Sequence, residues 1–440
     1  MNSLAKSSKG LNARSGAAKV LSSVINDQRS LNAALQNVLS QIEERERSLC
    51  QQLSYGVCRW YPTLVFLAQQ LLSKPLKSKD QDIFCLLLIG LYQLRDMRIP
   101  PHAAISETVN VTKQLGKPWA SGLLNACLRN YQRRRSEMDT SSEEALQAKY
   151  AHPDWLLMQY QSDWPENWQA ICEANNQQPP MVLRVNQLKQ SRSTYLKLLA
   201  DAGIEAASLD ETEHAIVLAR PCDVGLLPGF FDGMVSVQDG AAQIASRLLD
   251  ISSNQRILDA CSAPGGKTSH ILETSPSNDV VALDVSADRL QQVSANLSRL
   301  GLEAQLKTAD ASDTESWWDG RPFDRILIDA PCTGSGVIRR HPDIKLLRRE
   351  SDVASLAEQQ QRLLDTLWPL LKPDGLMVYT TCSAFKQENE QQIEAFLERH
   401  PDAEEFRPEQ PPATLRPYGY QRLPGDDSMD GFYYACLRHR

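Results

Sequence analysis

From about residue 240 to the end of the chain, short apolar segments alternate regularly with segments of helical character. The predicted strands are 256–260, 280–283, 304–308, 323–328 and 376–379. Between them, helical patterns cover 287–300 and 354–371. Because neighbouring parallel strands require helical crossovers, this order predicts a Rossmann-like, doubly wound α/β domain with a mainly parallel sheet. Ligands of such domains bind beyond the carboxyl ends of the strands, so the residues at those ends are the first candidates for a site.

The first 140 residues carry a helical pattern only. Apolar residues recur at helical spacing, as in Leu31, Leu35 and Leu39, and the apolar segment 83–94 predicts a central buried helix. This region holds 19 Lys and Arg against 10 Asp and Glu, whereas the rest of the chain holds 28 against 44. The positive balance favours a polyanionic partner, although a solvated basic surface would give the same composition. The arginines of its last predicted helix are Arg129, Arg133, Arg134 and Arg135.

Between these two regions the sequence is mixed. The polar stretch 136–149 predicts a linker, and the segment after it combines helical patterns with short strands near 181–185, 216–218 and 234–237. The chain is therefore predicted to contain an all-α domain at 1–140, a small α+β domain at 145–235 and an α/β domain at 236–440.

The composition excludes several classes of protein. The ten cysteines are scattered without a CxxC pair, which argues against a disulfide framework and against structural zinc. No apolar run approaches the ~18 residues of a membrane-spanning helix. The basic N-terminus lacks the apolar core of a signal peptide. We therefore expect a cytoplasmic monomer with no metal and no membrane partner.

The segment ILDACSAPGGKTSHIL at 257–272 predicts a ligand-binding loop between a strand and a helix. Glycines allow the backbone to approach a ligand, and a helix N-terminus offers unpaired N–H groups. Walker A requires glycine at the position of Cys261, and the dinucleotide fingerprint GxGxxG is absent. A purely structural turn is the alternative. The loop residues predicted to bind a cofactor are Cys261, Ser262, Ala263, Pro264, Gly265, Gly266 and Lys267.

Acidic residues follow the neighbouring predicted strands. Asp284 lies 25 residues after Asp259, where a carboxylate accepts hydrogen bonds from ribose hydroxyls in related folds. Asp310 is predicted to accept a hydrogen bond from an adenine amino group. Asp329 is the third acid that is predicted to contact the cofactor. Each acid could instead cap the turn that follows it. Acids at the ends of successive strands favour a nucleoside-like cofactor.

Two cysteines also follow predicted strands. Cys332 stands in Asp329-Ala330-Pro331-Cys332, and Cys382 stands in Thr380-Thr381-Cys382-Ser383. A cysteine after a strand is often a small buried apolar residue. Two of them at the carboxyl edge of one sheet, beside a predicted cofactor loop, indicate thiol chemistry instead.

Four motifs together resemble the bacterial ribosomal RNA cytosine-C5 methyltransferases, and most closely the RsmB (Sun/Fmu) family. They are CSAPGGKT, LDVS, DAPCTGSGVIRRHPDIK and TTCS. The resemblance covers nearly the whole chain, because GLYQLRDMRIPPHAAISETV and LLNACLRNYQRR are similar to that family's NusB-like RNA-binding domain. Ala309-Asp310-Ala311 departs from the Gly-Asp-Gly that is common in the family, which keeps the acid but changes the local turn.

The resemblance implies S-adenosylmethionine as cofactor and 16S ribosomal RNA as substrate. It implies that Cys382 is the nucleophile and that Cys332 assists removal of the C5 proton and release of the enzyme. Asp329 is placed to hydrogen-bond N3 of the base. This fits a chemical need, because C5 of cytosine is a poor nucleophile until a thiolate adds to C6 and turns the ring into an enamine.

Positive charge is needed at two places in this scheme. A free thiol has a pKa of ~8.5, so Cys382 requires activation, for which Lys267 or the pair Arg339 and Arg340 are candidates. Arg339 and Arg340 are also predicted to contact RNA, together with the arginines of the N-terminal region.

Other functions remain open from the sequence. A transfer-RNA cytosine-C5 methyltransferase would carry the same catalytic motifs. A non-catalytic RNA-binding or antitermination factor would use only residues 1–140, but it would have no use for Cys332, Cys382 and the CSAPGGK loop. An NTPase is disfavoured by the missing Walker A glycine.

Overall fold

The computed structural model describes residues 11–210 and 212–440. The α-helices are α1 (Ala13–Asn26), α2 (Leu31–Leu39), α3 (Glu44–Arg59), α4 (Tyr61–Leu71), α5 (Gln81–Asp96), α6 (Pro101–Gln114), α7 (Ala120–Glu144), α8 (Leu146–Tyr150), α9 (Asp154–Asp163), α10 (Trp168–Asn176), α11 (Arg192–Asp201), α12 (Gly240–Leu248), α13 (Gly266–Thr274), α14 (Ala287–Leu300), α15 (Thr314–Trp317), α16 (Ile344–Leu347), α17 (Glu350–Leu367) and α18 (Glu390–Arg399). The strands are β1 (Val182–Val185), β2 (Ala206–Ser208), β3 (Ala215–Leu218), β4 (Val235–Val237), β5 (Arg256–Asp259), β6 (Asp279–Asp284), β7 (Gln305–Thr308), β8 (Phe323–Asp329), β9 (Leu371–Thr381), β10 (Ala403–Glu405), β11 (Thr414–Leu415), β12 (Tyr420–Arg422) and β13 (Phe432–His439).

These elements form two compact units. The first comprises the described residues up to Gln177 together with Ile338–Arg349, and the second comprises Gln178–Val337 and Glu350–Arg440. The chain therefore leaves the second unit after β8, contributes a short segment with α16 to the first unit, and returns at α17. The predicted division into three domains stays a prediction.

The first unit is a helical bundle built around α5. From Ile83 to Leu94 nearly every residue of α5 is buried, because other helices of the unit cover it on all sides. The predicted central helix is thus confirmed. The N-terminus of α1 is fixed by a capping box, in which the Asn12 side chain accepts from the Ser15 N–H and the Ser15 hydroxyl oxygen accepts from the Asn12 N–H.

The predicted linker at 136–149 is wrong. Helix α7 continues through these residues to Glu144, and α8 begins at Leu146. One residue of α7, Arg134, has non-helical angles of φ −104° and ψ 17°. The polar stretch remains helical beyond it because Met138 is fully buried in the bundle core.

The second unit begins with a small antiparallel sheet in the order β2-β3-β1-β4. Its buried face carries Leu183, Ile216 and Val235, which pack with Tyr195 of α11. The three strands predicted here are confirmed within one residue at each end.

The larger sheet has the order β11-β12-β13-β9-β8-β5-β6-β7, with β10 paired to β13. Strands β5 to β9 are parallel to their neighbours, and β13 runs antiparallel to β9. Both faces are buried, since Leu258 packs into one apolar cluster and the adjacent Ile257 into another. The antiparallel C-terminal strands were not predicted from the sequence.

The predicted fold class is confirmed: an all-α region, a small α+β region, and a doubly wound α/β region. Among the described residues, no helix is both long and apolar enough to cross a bilayer.

Candidate active site

The strand ends of the larger sheet bring the predicted acids into one row. Asp259, Asp284 and Asp329 are the last residues of β5, β6 and β8, and Asp310 follows β7 by two residues. Cys382 directly follows β9. Because β7, β6, β5, β8 and β9 are adjacent and parallel, all five residues lie along the same carboxyl edge.

The predicted cofactor loop joins β5 to α13. Gly265 has φ +95°, a conformation that favours glycine, and a Cβ there would lie 3.0 Å from Val293 Cγ1. Ser262 holds the loop against β6, since its N–H and its hydroxyl both donate to the Leu283 carbonyl, at 2.8 and 2.9 Å. The loop thus leads into the N-terminus of the nine-residue helix α13, as the sequence predicted.

Asp284 and Asp310 both bind the backbone that follows them. The Ser286 N–H donates to Asp284 Oδ1 at 3.0 Å, and the Ser312 N–H donates to Asp310 Oδ1 at 2.9 Å. Asp284 also accepts from the Ala263 N–H at 3.3 Å, which links it to the cofactor loop. The turn-capping alternative is therefore realised for both acids. Capping leaves acceptor positions on each carboxylate, so it does not exclude a ligand.

Lys267 and Asp329 form an ion pair across the edge of the sheet. Lys267 Nζ lies 2.7 Å from Asp329 Oδ2, and the Thr380 hydroxyl donates to Asp329 Oδ1 at 3.1 Å. The ammonium group also lies 5.0 Å from the ring centroid of Phe432. Lys267 was predicted as a cofactor ligand, and the structure shows that its charge is directed to Asp329. The Asp329 side chain keeps 29% of its surface exposed, so it can still receive a ligand.

Asp259 is a buried carboxyl at the centre of this row. Its Oδ2 accepts from the Thr268 hydroxyl at 2.6 Å, and its Oδ1 has no partner among the described residues. Burial, followed by the charges of Asp329 and Asp284, raises the pKa of Asp259 to about 7, against the lowering effect of the Thr268 hydrogen bond and Lys267.

The side chains of Cys332 and Cys382, the two predicted catalytic cysteines, are in contact. The Sγ atoms of Cys332 and Cys382 are 3.3 Å apart, which is a contact between two thiols and far longer than a disulfide bond. The hydrogen bond with Cys382 and then burial raise the pKa of Cys332 well above its ordinary value. Either sulfur can be the donor in this contact.

A buried carboxylate that the sequence analysis missed connects the loops of these two cysteines. Glu388 accepts from the Thr333 N–H at 2.8 Å and from the Thr333 hydroxyl at 2.6 Å, directly after Cys332. It also accepts from the Ser383 hydroxyl, directly after Cys382, and from Gln360 Nε2 at 3.1 Å. The short polar run after TTCS was the available signal, but nothing in it indicates a partner 55 residues away.

The sequence as a whole has well-defined relatives. Residues 246–438 match the family model described as 16S rRNA methyltransferase RsmB/F. The chain is 52% identical over 433 residues to the ribosomal RNA small subunit methyltransferase B of Pseudomonas syringae pv. tomato, with 97% of each chain covered. The chain belongs to the RsmB family. It is also 50% identical to the protein of the same name from Pseudomonas putida, over 97% of this chain and 98% of that one. The resemblance drawn from the motifs is thereby confirmed.

Two further models match the rest of this RsmB-family chain. Residues 11–133 match the NusB family, and residues 152–225 match the ferredoxin-like domain of RsmF/B-like methyltransferases. The crystal structure of PH0851 has the same fold, with a TM-score of 0.81 at 22% identity, and the match covers 98% of this chain and 100% of that one.

The arginines predicted to contact RNA differ in how accessible they are. On α7, Arg129, Arg133 and Arg135 are exposed and Arg134 is half-buried; Arg134 pairs with Glu137 at 2.6 Å and Arg135 with Asp139 at 3.4 Å. Arg339 is only 2% exposed, so we withdraw it from the predicted RNA contacts. Arg340, the next residue, is half-buried, and its contact with RNA remains a prediction.

The described residues contain no group of three or more histidine, cysteine, aspartate or glutamate side chains arranged to hold a metal ion.

Proposed function

We propose that this RsmB-family protein transfers a methyl group to C5 of a cytosine in 16S ribosomal RNA through a covalent bond between Cys382 and C6. The observation that carries the proposal is the 3.3 Å contact between the Cys332 and Cys382 sulfurs at the strand edge that also holds Asp329. The names of the relatives, which specify the ribosomal small subunit, support the choice of RNA.

In the proposed reaction, the Cys382 thiolate adds to C6 of the cytosine, and C5 becomes nucleophilic as an enamine carbon. C5 then takes the methyl group. Cys332, as a thiolate, accepts the C5 proton; the electron pair of the C5–H bond re-forms the ring double bond as the C6–S bond breaks, and Cys382 leaves as a thiolate. Cys332 assists the last two events, since its sulfur lies in contact with the sulfur that must leave.

Asp329 is proposed to hold the base at N3. A carboxylate that accepts a hydrogen bond from N3 favours the N3-protonated base, whose positive charge is neutralised when the thiolate adds to C6, and such a fixed charge acts strongly in a partly desolvated site. Lys267 orients the carboxylate through the 2.7 Å ion pair, and Thr380 fixes its second oxygen. Lys267 is thus proposed to act on Asp329 rather than on the thiol.

The residues of the cofactor loop fit S-adenosylmethionine, which supplies the methyl group when it is bound. Gly265 brings the backbone of the loop close to α14 without a side chain, and a Cβ at this position would collide with Val293. Asp284 would accept hydrogen bonds from ribose hydroxyls, and Asp310 would accept from the adenine amino group. The other proposed cofactor contacts are Cys261, Ser262, Ala263, Pro264, Gly266 and Lys267.

The test is methyl transfer from labelled S-adenosylmethionine to purified 16S ribosomal RNA and to total transfer RNA, followed by mapping of 5-methylcytosine. The proposal expects one labelled cytosine in 16S ribosomal RNA and none in the variant Cys382→Ala. Label confined to transfer RNA would favour the alternative substrate. Absence of label from both RNAs would contradict the proposed activity.

A further inference from the structure

A surface of the helical unit combines exposed positive charge with an exposed aromatic ring. Lys74, Lys77 and Lys79 lie in the connection between α4 and α5, and Trp119 lies immediately before α7. All four residues line one open cavity of about 390 Å³, together with Leu76 and Leu123 among others. We call these four residues the lysine–tryptophan surface.

The positive charge of this surface is not neutralised by ion pairs within the helical unit. The three lysines are exposed, and within 11–210 and 212–440 no hydrogen bond or ion pair engages their ammonium groups. Asp80 is the one carboxylate that lines the cavity, and it shares Lys117 with Asp82, at 3.0 and 2.7 Å from Nζ, so the three exposed lysines outnumber the acid that is left partly neutralised. A ligand therefore meets uncompensated positive charge.

The indole of Trp119 is the second component. The residue is 55% exposed, which is unusual for so large an apolar side chain. Aromatic rings beside basic side chains form the platforms on which unpaired bases stack while the cations contact phosphates. The arginines of α7 provide no such ring, and two of them are paired with acids on their own helix.

We propose that the lysine–tryptophan surface binds a single-stranded segment of the substrate RNA, with Trp119 stacking on a base and the lysines contacting phosphates. The proposal rests on the proposed function for the identity of the RNA. The lysine–tryptophan surface would be an RNA contact separate from the strand edge that carries the cysteines.

The experiment measures binding of a fluorescent 12-nucleotide single-stranded RNA to the full-length protein, without cofactor, over a series of potassium chloride concentrations. The variants are Trp119→Ala, Trp119→Phe and the double variant Lys74→Gln/Lys77→Gln. The controls in the same unit are Met158→Ala, an exposed apolar residue, and Lys19→Gln/Lys113→Gln, two exposed lysines.

We expect Trp119→Ala to weaken binding by about fivefold or more, because stacking on one base is lost, and Trp119→Phe to retain most of the affinity. The double lysine variant should lower the slope of log K against log salt by about 1.4, or about 0.7 for each phosphate contact. The control variants should behave like the wild type.

Affinities and slopes that are unchanged in both surface variants would overturn the proposal. Equal losses in the surface and control variants would also overturn it, since the effect would then be general. Because binding is measured without methyl transfer, a wild-type protein that binds this RNA through the surface but forms no 5-methylcytosine would contradict only the proposed function.

Discussion

Two carboxylates near Cys332 and Cys382 occupy opposite environments. Asp329 ends β8 with a partly exposed side chain held by Lys267 and Thr380, whereas Glu388 is fully buried and accepts from a backbone N–H, two hydroxyls and an amide. Burial raises the pKa of Glu388, against the lowering effect of its hydrogen bonds. Asp329 therefore keeps hydrogen-bond acceptor positions that a ligand can use. Glu388 uses its acceptor positions to fix the two loops that carry the thiols.

The same division applies to the remaining acids of the edge. Asp310 is exposed, and Asp284, although only 4% exposed, contacts the cofactor loop through the Ala263 N–H, whereas Asp259 is completely buried behind the Thr268 hydroxyl. If the division is right, substitutions in the first group should affect ligands or chemistry, and substitutions in the second group should affect folding.

The largest effect is expected at the thiols themselves. Cys382→Ala removes the proposed nucleophile, so methyl transfer should vanish and no covalent complex with RNA should form. Cys332→Ala keeps the nucleophile but impairs release, so protein should remain attached to RNA. A denaturing gel of each variant with RNA and cofactor distinguishes them.

The control for this experiment is Cys222→Ala, which alters a half-buried cysteine outside the active edge and should behave like the wild type. An adduct with Cys382→Ala and none with Cys332→Ala would mean that the two roles are exchanged. Unchanged activity in both variants would show that neither thiol takes part in the reaction and that both are small buried apolar side chains.

The next effect tests the buried carboxylate. Glu388→Ala leaves the Thr333 N–H without an acceptor and opens a cavity, which should cost about 3 kcal/mol of the free energy of unfolding. Glu394→Ala, at an exposed position on α18, should cost little. Urea denaturation measures both. A Glu388→Ala variant as stable as the control, but inactive, would move Glu388 into the group that acts on ligands or chemistry.

The row of strand-end acids and the cysteine pair followed from the sequence because parallel strands bring successive carboxyl ends to one edge. The Glu388 network did not, since its partners depend on how two loops fold back onto each other. The burial of Arg339 could not be predicted either, because it follows from the insertion of Ile338–Arg349 into the helical unit. The helix at 136–144 was missed because polar composition outweighed the single buried Met138 in the prediction.

A smaller effect is expected for the cofactor. Asp284→Ala should weaken binding of S-adenosylmethionine by about 1.5–3 kcal/mol for each ribose hydrogen bond lost to the charged acceptor, as calorimetry would measure. Asp310→Ala should weaken it less, because Asp310 is exposed and its contact with the cofactor is less desolvated. Equal affinity in the wild type and Asp284→Ala would contradict the cofactor assignment. A larger loss in Asp310→Ala would reverse the order of the two acids.

The effect with the smallest slope is a pH dependence of stability at Asp259, because it accumulates over several pH units. Because the pKa of this carboxyl is raised to about 7 in the folded protein, the folded state binds the proton more tightly than the unfolded state does. The free energy of unfolding should therefore fall as pH rises from about 4 to 7, by at most about 1.4 kcal/mol per pH unit from this group.

Asp259→Asn cannot ionise and can still accept from Thr268, so its stability relative to the wild type should increase over this range and level off above pH 7. Urea denaturation of both proteins at several pH values measures the difference. Two curves that stay parallel from pH 5 to 8 would show that the pKa of Asp259 is not raised by folding, and Asp259 would then not belong with the buried carboxyl of Glu388.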